Sequence, residues 1–134
     1  MLLNLERLPY ADNLKVDEIV RSGIPARSAK VLAATLDLSM AQFALIAVIP
    51  LRTLERRIKL NSVLNAPESE RVIRLGRVLS MATDVFDDKE EASQWMAESL
   101  DVLSGRTPIE MCATDAGARE VEQVLGRIEH GVFS

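Results

Sequence analysis

Aromatic side chains are scarce in this chain, at 4% of its residues: one Trp, one Tyr and three Phe. A core short of rings must be built from Leu, Val, Ile, Ala and Met, a mixture rich in good helix formers. The single cysteine, Cys112, excludes an intrachain disulfide and suits a reducing compartment, so a cytoplasmic protein is expected. Beside it stands one histidine, His130, so the chain lacks the nitrogen and sulfur ligands of a structural zinc site. That imidazole lies four residues from the end of the sequence, a poor place for the base of a nucleophilic triad. The six glycines are scattered and form neither a P-loop nor a dinucleotide fingerprint. Paired carboxylates occur in Asp87-Asp88 and Glu90-Glu91, but at the start of a helix such residues answer the dipole. Neither enzymatic activity nor a bound metal or cofactor is expected.

Long uninterrupted apolar runs are lacking too. From Val31 to Leu51 only Asp37 is charged, a stretch long enough to suggest a membrane span. Asp37 inside it would cost about 2.5 to 3.5 kcal/mol, and Ser39, Gln42 and Pro50 break it further, so two core helices are expected and no membrane. The opening MLLNLERLPY has no basic stretch ahead of a long apolar run and does not read as a secretory signal. With 134 residues, 48% of them hydrophobic and 27% charged, the chain suits one domain or two small ones.

No stretch alternates as a strand should, so an all-α fold is expected. Val16 to Arg21 reads as a short helix closed by Gly23. Pro25 opens a second to about Asp37, with Ala29, Leu32, Ala33 and Leu36 on one face. Ser39 can cap a third, carrying Phe43 and Ile46, and Pro50 can open a fourth through Leu54 and Ile58. Leu60 to Pro67 reads as a linker. Glu68 to Phe86 makes the longest helix, where Val72, Leu75, Leu79, Ala82 and Phe86 form one apolar stripe. Asp87 is expected to cap a helix through Trp95 to Leu100, and Thr107-Pro108 to start a short one. Thr114 or Asp115 starts the last, with Ala118, Val121, Leu125 and Ile128 inward and Gly131 at its end.

Charge divides along the chain. Residues 1–66 carry a net charge of +3 and residues 67–134 a net charge of −7, which suggests two surfaces with different partners. The informative segment is SMAQFALIAVIPLRTLERRIK, two short helices across a tight turn, the plan in which the second helix enters the DNA major groove. There Arg52, Thr53, Arg56 and Arg57 are expected on the exposed side, with Leu54 and Ile58 inward. Arginine can both fork onto guanine edges and neutralise phosphates. Ser39 stands at a helix start that could meet a phosphate. Val48 occupies the turn position where such units commonly carry glycine; its branched side chain resists the left-handed conformation, so a turn unlike the usual one is expected.

From about Ser22 to Ser134 the chain resembles the Xre/MbcA/ParS antitoxins. The resemblance is carried by IPLRTLERR and by the ending GRTPIEMCATDAGAREVEQVLGRIEHGVFS, with SERVIRLGRVLSMATDVFDDKEEASQWM similar to the family's middle helices. It implies an N-terminal helix-turn-helix domain, residues 1–64, and a helical toxin-binding domain, residues 65–134. It further implies a homodimer that represses its own operon and neutralises a RES-type toxin, an enzyme that consumes NAD. Carried over, the DNA contacts are Arg52, Thr53, Arg56 and Arg57, beside the helix start at Ser39, and the toxin-facing tail is Arg127, Ile128, Glu129, His130, Gly131, Val132, Phe133 and Ser134. Helix spacing alone leaves another reading: a stand-alone helix-turn-helix regulator whose C-terminal part dimerises or senses a ligand.

Overall fold

The computed structural model describes residues 2–131, and among these the chain forms eight α-helices, one 3-10 turn and two isolated β-bridges. The helices are α1 (Asn13–Ser22), α2 (Ala26–Thr35), α3 (Met40–Ala47), α4 (Leu51–Lys59), α5 (Ala66–Phe86), α6 (Lys89–Met96), α7 (Pro108–Met111) and α8 (Asp115–Glu129). The expected all-α class is therefore observed. Polar residues start most of them by accepting orphan backbone N–H groups. Asp12 caps α1, Asp88 caps α6 and Thr114 caps α8, while Ser39, Asn65 and Thr107 form reciprocal capping boxes with Gln42, Glu68 and Glu110.

Several boundaries differ from the sequence reading, each for a local reason. The carboxylate of Asp12 starts α1 a turn before Val16. Asp88, not Asp87, caps α6; Asp87 takes the left-handed conformation at the end of α5, at φ 54°. The helix after it stops at Met96, because Leu100 pairs with Arg106 in a bridge. Leu60 to Pro67 is not a loose linker. Its backbone is stitched to the start of α2, with Ala26 N–H donating to Ser62 O and Leu64 N–H to Ile24 O, both at 2.9 Å. Leu64 is buried, and α5 has already begun at Ala66.

The helices α2, α3 and α4 pack on one another as a small head. Its centre is Leu32, Phe43 and Leu54, all essentially without solvent contact. The low-charge stretch from Val31 onward becomes α2 and α3, bent 112° from each other, and among the described residues no single helix is long and apolar enough to cross a membrane. The spine of the molecule is α5, which packs against α1, α3, α6 and α8. It therefore buries more than one stripe. Val72, Leu75, Leu79 and Ala82 are joined in the interior by Ser69, Ile73, Gly76 and Val78. Gly76 lies beneath the N-terminal segment, where a Cβ atom would stand 2.7 Å from Leu5 O. Leu5 is buried there, and its carbonyl accepts the Tyr10 hydroxyl. Burial, the main cause, holds that hydroxyl well above its ordinary pKa, so it stays a donor.

Candidate functional site

The sequence of α4 sets its two faces. Leu54 is wholly buried and Ile58 half-buried, which turns Arg52, Glu55, Arg56 and Lys59 outward, at the i, i+3, i+4, i+7 spacing of one helical face. Thr53 and Arg57 lie on the flanks and are only half-exposed. The expected set of Arg52, Thr53, Arg56 and Arg57 is thus divided between the outer face and its flanks. Glu55 and Lys59 were missed by the sequence reading, although counting three and seven residues on from Arg52 would have found them.

Arg57 has a partner inside the molecule. Its guanidinium donates to Glu68 Oε1, and the same carboxylate oxygen accepts Asn65 N–H at 3.0 Å as part of the α5 capping box. Glu68 is 7% exposed, so this pair bolts the exit of α4 to the entrance of α5. A charge at that depth must be paired to be tolerated.

The turn between α3 and α4 keeps the geometry that a glycine would supply. Val48 adopts the left-handed conformation at φ 55° and ψ 50°, contrary to the expectation of an altered turn. Two features make this possible. The Val48 side chain is 59% exposed, so its strain is not compounded by packing. Across the fold, Arg71 on α5 donates from Nε to Ala47 O at 2.6 Å and from Nη2 to Val48 O at 3.1 Å. These charge-assisted bonds take up carbonyls left open at the end of α3.

Ser39 is exposed at the positive end of α3, its hydroxyl accepting Gln42 N–H at 3.1 Å. Next to α4, a groove of about 630 Å³ is lined by Arg27 and Lys30 of α2, by Lys59, and by Leu2, Val31, Ile58 and Asn61. Three cations therefore border the end of α4 away from Arg52.

At the other end of the chain α8 packs firmly until its last turn. Ala118, Val121, Val124 and Leu125 are buried, and Ile128 is partly so. Arg127 pairs with Glu120 at 3.5 Å. Glu129, His130 and Gly131 are exposed, with Gly131 at φ 70° turning the chain off the helix axis. Val132, Phe133 and Ser134 lie outside the described residues.

Two further arginines tie α5 to this half. Arg74 donates to Cys112 O and Ala113 O, each at 3.4 Å, and Arg77 pairs with Glu122 of α8 at 3.0 Å. Cys112 is buried and its thiol is pushed up to about 12, chiefly by desolvation, so it is held protonated and inert. Among the described residues no group of three or more His, Cys, Asp or Glu is placed to hold a metal ion.

The architecture is that of a helix-turn-helix head joined through one long helix to a second helical body. Residues 15–77 match the family model of the antitoxin Xre-like helix-turn-helix domain, and residues 81–131 match that of the antitoxin Xre/MbcA/ParS C-terminal toxin-binding domain. An antitoxin Xre of Photorhabdus laumondii subsp. laumondii is 32% identical over 127 residues, covering 94% of this chain and 86% of that protein. An antitoxin Xre of Yersinia enterocolitica is 42% identical over 87 residues, covering 64% of this chain and 59% of that protein. A Prs ADP-ribosylating antitoxin of Sphingobium sp. is 26% identical over 125 residues, covering 87% of this chain and 79% of that protein. The chain belongs to the Xre antitoxin family, with a DNA-binding type of head and a toxin-binding body.

Proposed function

We propose that this protein is the antitoxin of a type II toxin–antitoxin pair, that it neutralises a RES-type toxin through its C-terminal region, and that it represses its own operon through α4. Residues 1–64 carry the DNA-binding duty and residues 65–134 the toxin-binding duty, in a cytoplasmic homodimer whose paired heads meet a two-fold operator. The observation that carries this reading is the outer face of α4, where Arg52 and Arg56 are free in solvent above a fully buried Leu54. Thr53 borders that face, and Ser39 offers a helix start to a phosphate. Arg57, paired with Glu68, holds the helix in place instead of reaching DNA.

On the toxin side, α8 presents Glu129, His130 and Gly131 beyond its packed turns and leads into Val132, Phe133 and Ser134. A toxin that consumes NAD must hold an anionic dinucleotide in a cleft with cationic groups. The body's net negative charge and the Glu129 carboxylate complement such a cleft. The name of the Sphingobium relative couples that antitoxin with ADP-ribosylation, a chemistry whose donor is NAD.

Co-expression with a neighbouring RES-type reading frame tests the proposal. The full chain is expected to co-purify with that protein and rescue growth. A chain ending before Glu129 is expected to keep its circular dichroism spectrum and lose the rescue. Full rescue by the folded, shortened chain would assign neutralisation to the helical body. Failure of the full chain to bind or rescue would leave the stand-alone regulator.

A further inference from the structure

The outer face of α4 contains a residue that a simple phosphate-binding surface would exclude. Glu55 is exposed at one edge of that face, with Arg52 three residues before it, Arg56 directly after it and Lys59 four residues on. Elsewhere in the molecule exposed helical pairs at this spacing do close, as in Arg21 with Asp17 at 2.8 Å and Arg119 with Asp115 at 2.9 Å. The ion pairs among the described residues include none made by Glu55. Its carboxylate therefore has no fixed partner on the surface that approaches a polyanion, where a negative charge weakens the phosphate contacts around it.

Such a charge is offset on DNA only by a donor. The major groove offers two kinds, the N4 amino group of cytosine and the N6 amino group of adenine. Adenine sets its N7 acceptor beside the amino group, and that lone pair would repel the second carboxylate oxygen. Cytosine has no acceptor there. Its base-pair partner presents O6 and N7, the acceptors onto which a neighbouring arginine forks. A carboxylate flanked by arginines thus fits a G·C pair from both strands.

We propose that Glu55 is a specificity-determining residue of this protein, and that it accepts a hydrogen bond from the N4 amino group of a cytosine in the operator. The proposal rests on the DNA-binding reading of α4 and adds to it the base that is read. In this scheme Arg52 and Arg56 supply affinity and guanine contacts, while Glu55 lowers affinity for all other sequences.

The test is selection of bound duplexes from a randomised pool by the full-length protein at fixed ionic strength, repeated with Glu55→Gln and Glu55→Ala. Because Glu55 is exposed, both variants are expected to melt with the wild type. The wild type should enrich cytosine at one position of each half-site. Glu55→Ala should lose that preference by about tenfold or more, the usual size of a base-pair discrimination, while binding random duplex as well as or better than the wild type. Glu55→Gln should move the preference toward adenine, whose N6 and N7 suit an amide. Equal strengthening on every duplex, with the enriched base unchanged, would overturn the assignment and leave Glu55 a purely repulsive charge. Enrichment of no sequence by the wild type would overturn the DNA reading itself and the assignment with it.

Discussion

Three arginines within six residues look alike in sequence, yet Arg52 and Arg56 face solvent while Arg57 is bonded to Glu68. Their replacement by alanine should therefore give different phenotypes. Arg52→Ala and Arg56→Ala should each weaken operator binding by about 1 to 3 kcal/mol where the side chain forks onto guanine, with no change in melting temperature. Arg57→Ala should cost about 1 to 3 kcal/mol of folding stability by removing the charged partner of the largely buried Glu68. Gel shifts at fixed salt and denaturant melts separate the two classes. Loss of operator affinity without loss of stability in Arg57→Ala would show that the Glu68 pair opens on DNA. The spacing of the arginines was legible in the sequence, but the Glu68 pairing was not, because it spans the turn between α4 and α5. Val48 teaches the same lesson in reverse. Its unsuitability for a left-handed turn could be read directly, whereas its remedy, Arg71, lies 23 residues away.

At the scale of elements, what the sequence showed well was the inward face of each helix. Leu32, Phe43, Leu54, Leu79 and Leu125 were all legible from spacing, and all are buried. Less legible was the breadth of burial on α5, because a helix packed against four others carries overlapping patterns, a stronger one that stands out and a weaker one that does not. Gly76 belongs to the weaker one. In a helix, glycine normally costs about 1 kcal/mol relative to alanine, so Gly→Ala should stabilise wherever there is room. Gly126 on α8 has no atom within 4 Å of an added Cβ, and Gly126→Ala should raise stability by about 0.5 to 1 kcal/mol. At Gly76 the added methyl would stand 2.8 Å from the Tyr10 hydroxyl as well as close to Leu5 O, so Gly76→Ala should instead cost about 1 to 3 kcal/mol. Leu79→Ala, at the centre of α5, should cost about 2 to 5 kcal/mol. Urea melts of the three variants check the signs. Stabilisation by Gly76→Ala would mean that residues 2–12 do not rest on α5 in solution.

For the whole molecule, α5 gives the head and the body a common interior. Phe86 at its end meets Trp95 with ring centroids 5.6 Å apart, so the only tryptophan reports on the body, whereas far-ultraviolet dichroism reports on every helix. The two signals should change together in a single thermal transition. A fluorescence transition displaced by several degrees from the dichroism would show that the body melts apart from the head. The N-terminal segment, which the sequence reading left without a role, closes this interior on one side: Leu3 N–H donates to Ser28 at 2.8 Å and Glu6 pairs with Lys89 of α6 at 3.4 Å.

The two family matches meet inside α5, one ending at residue 77 and the other beginning at residue 81, with no loop between them. Their relative orientation is therefore a matter of helical phase. One residue added at this junction would turn the part of α5 beyond it by about 100° and advance it about 1.5 Å, so the body could no longer meet both that part and the Arg74 and Arg77 contacts made from before the junction. Seven residues would restore the phase to within about 20° while still shifting that part about 10 Å along the axis. The junction acts as a keyed coupling: exchanging heads and bodies between relatives preserves the geometry only if the cut respects the turn of the helix.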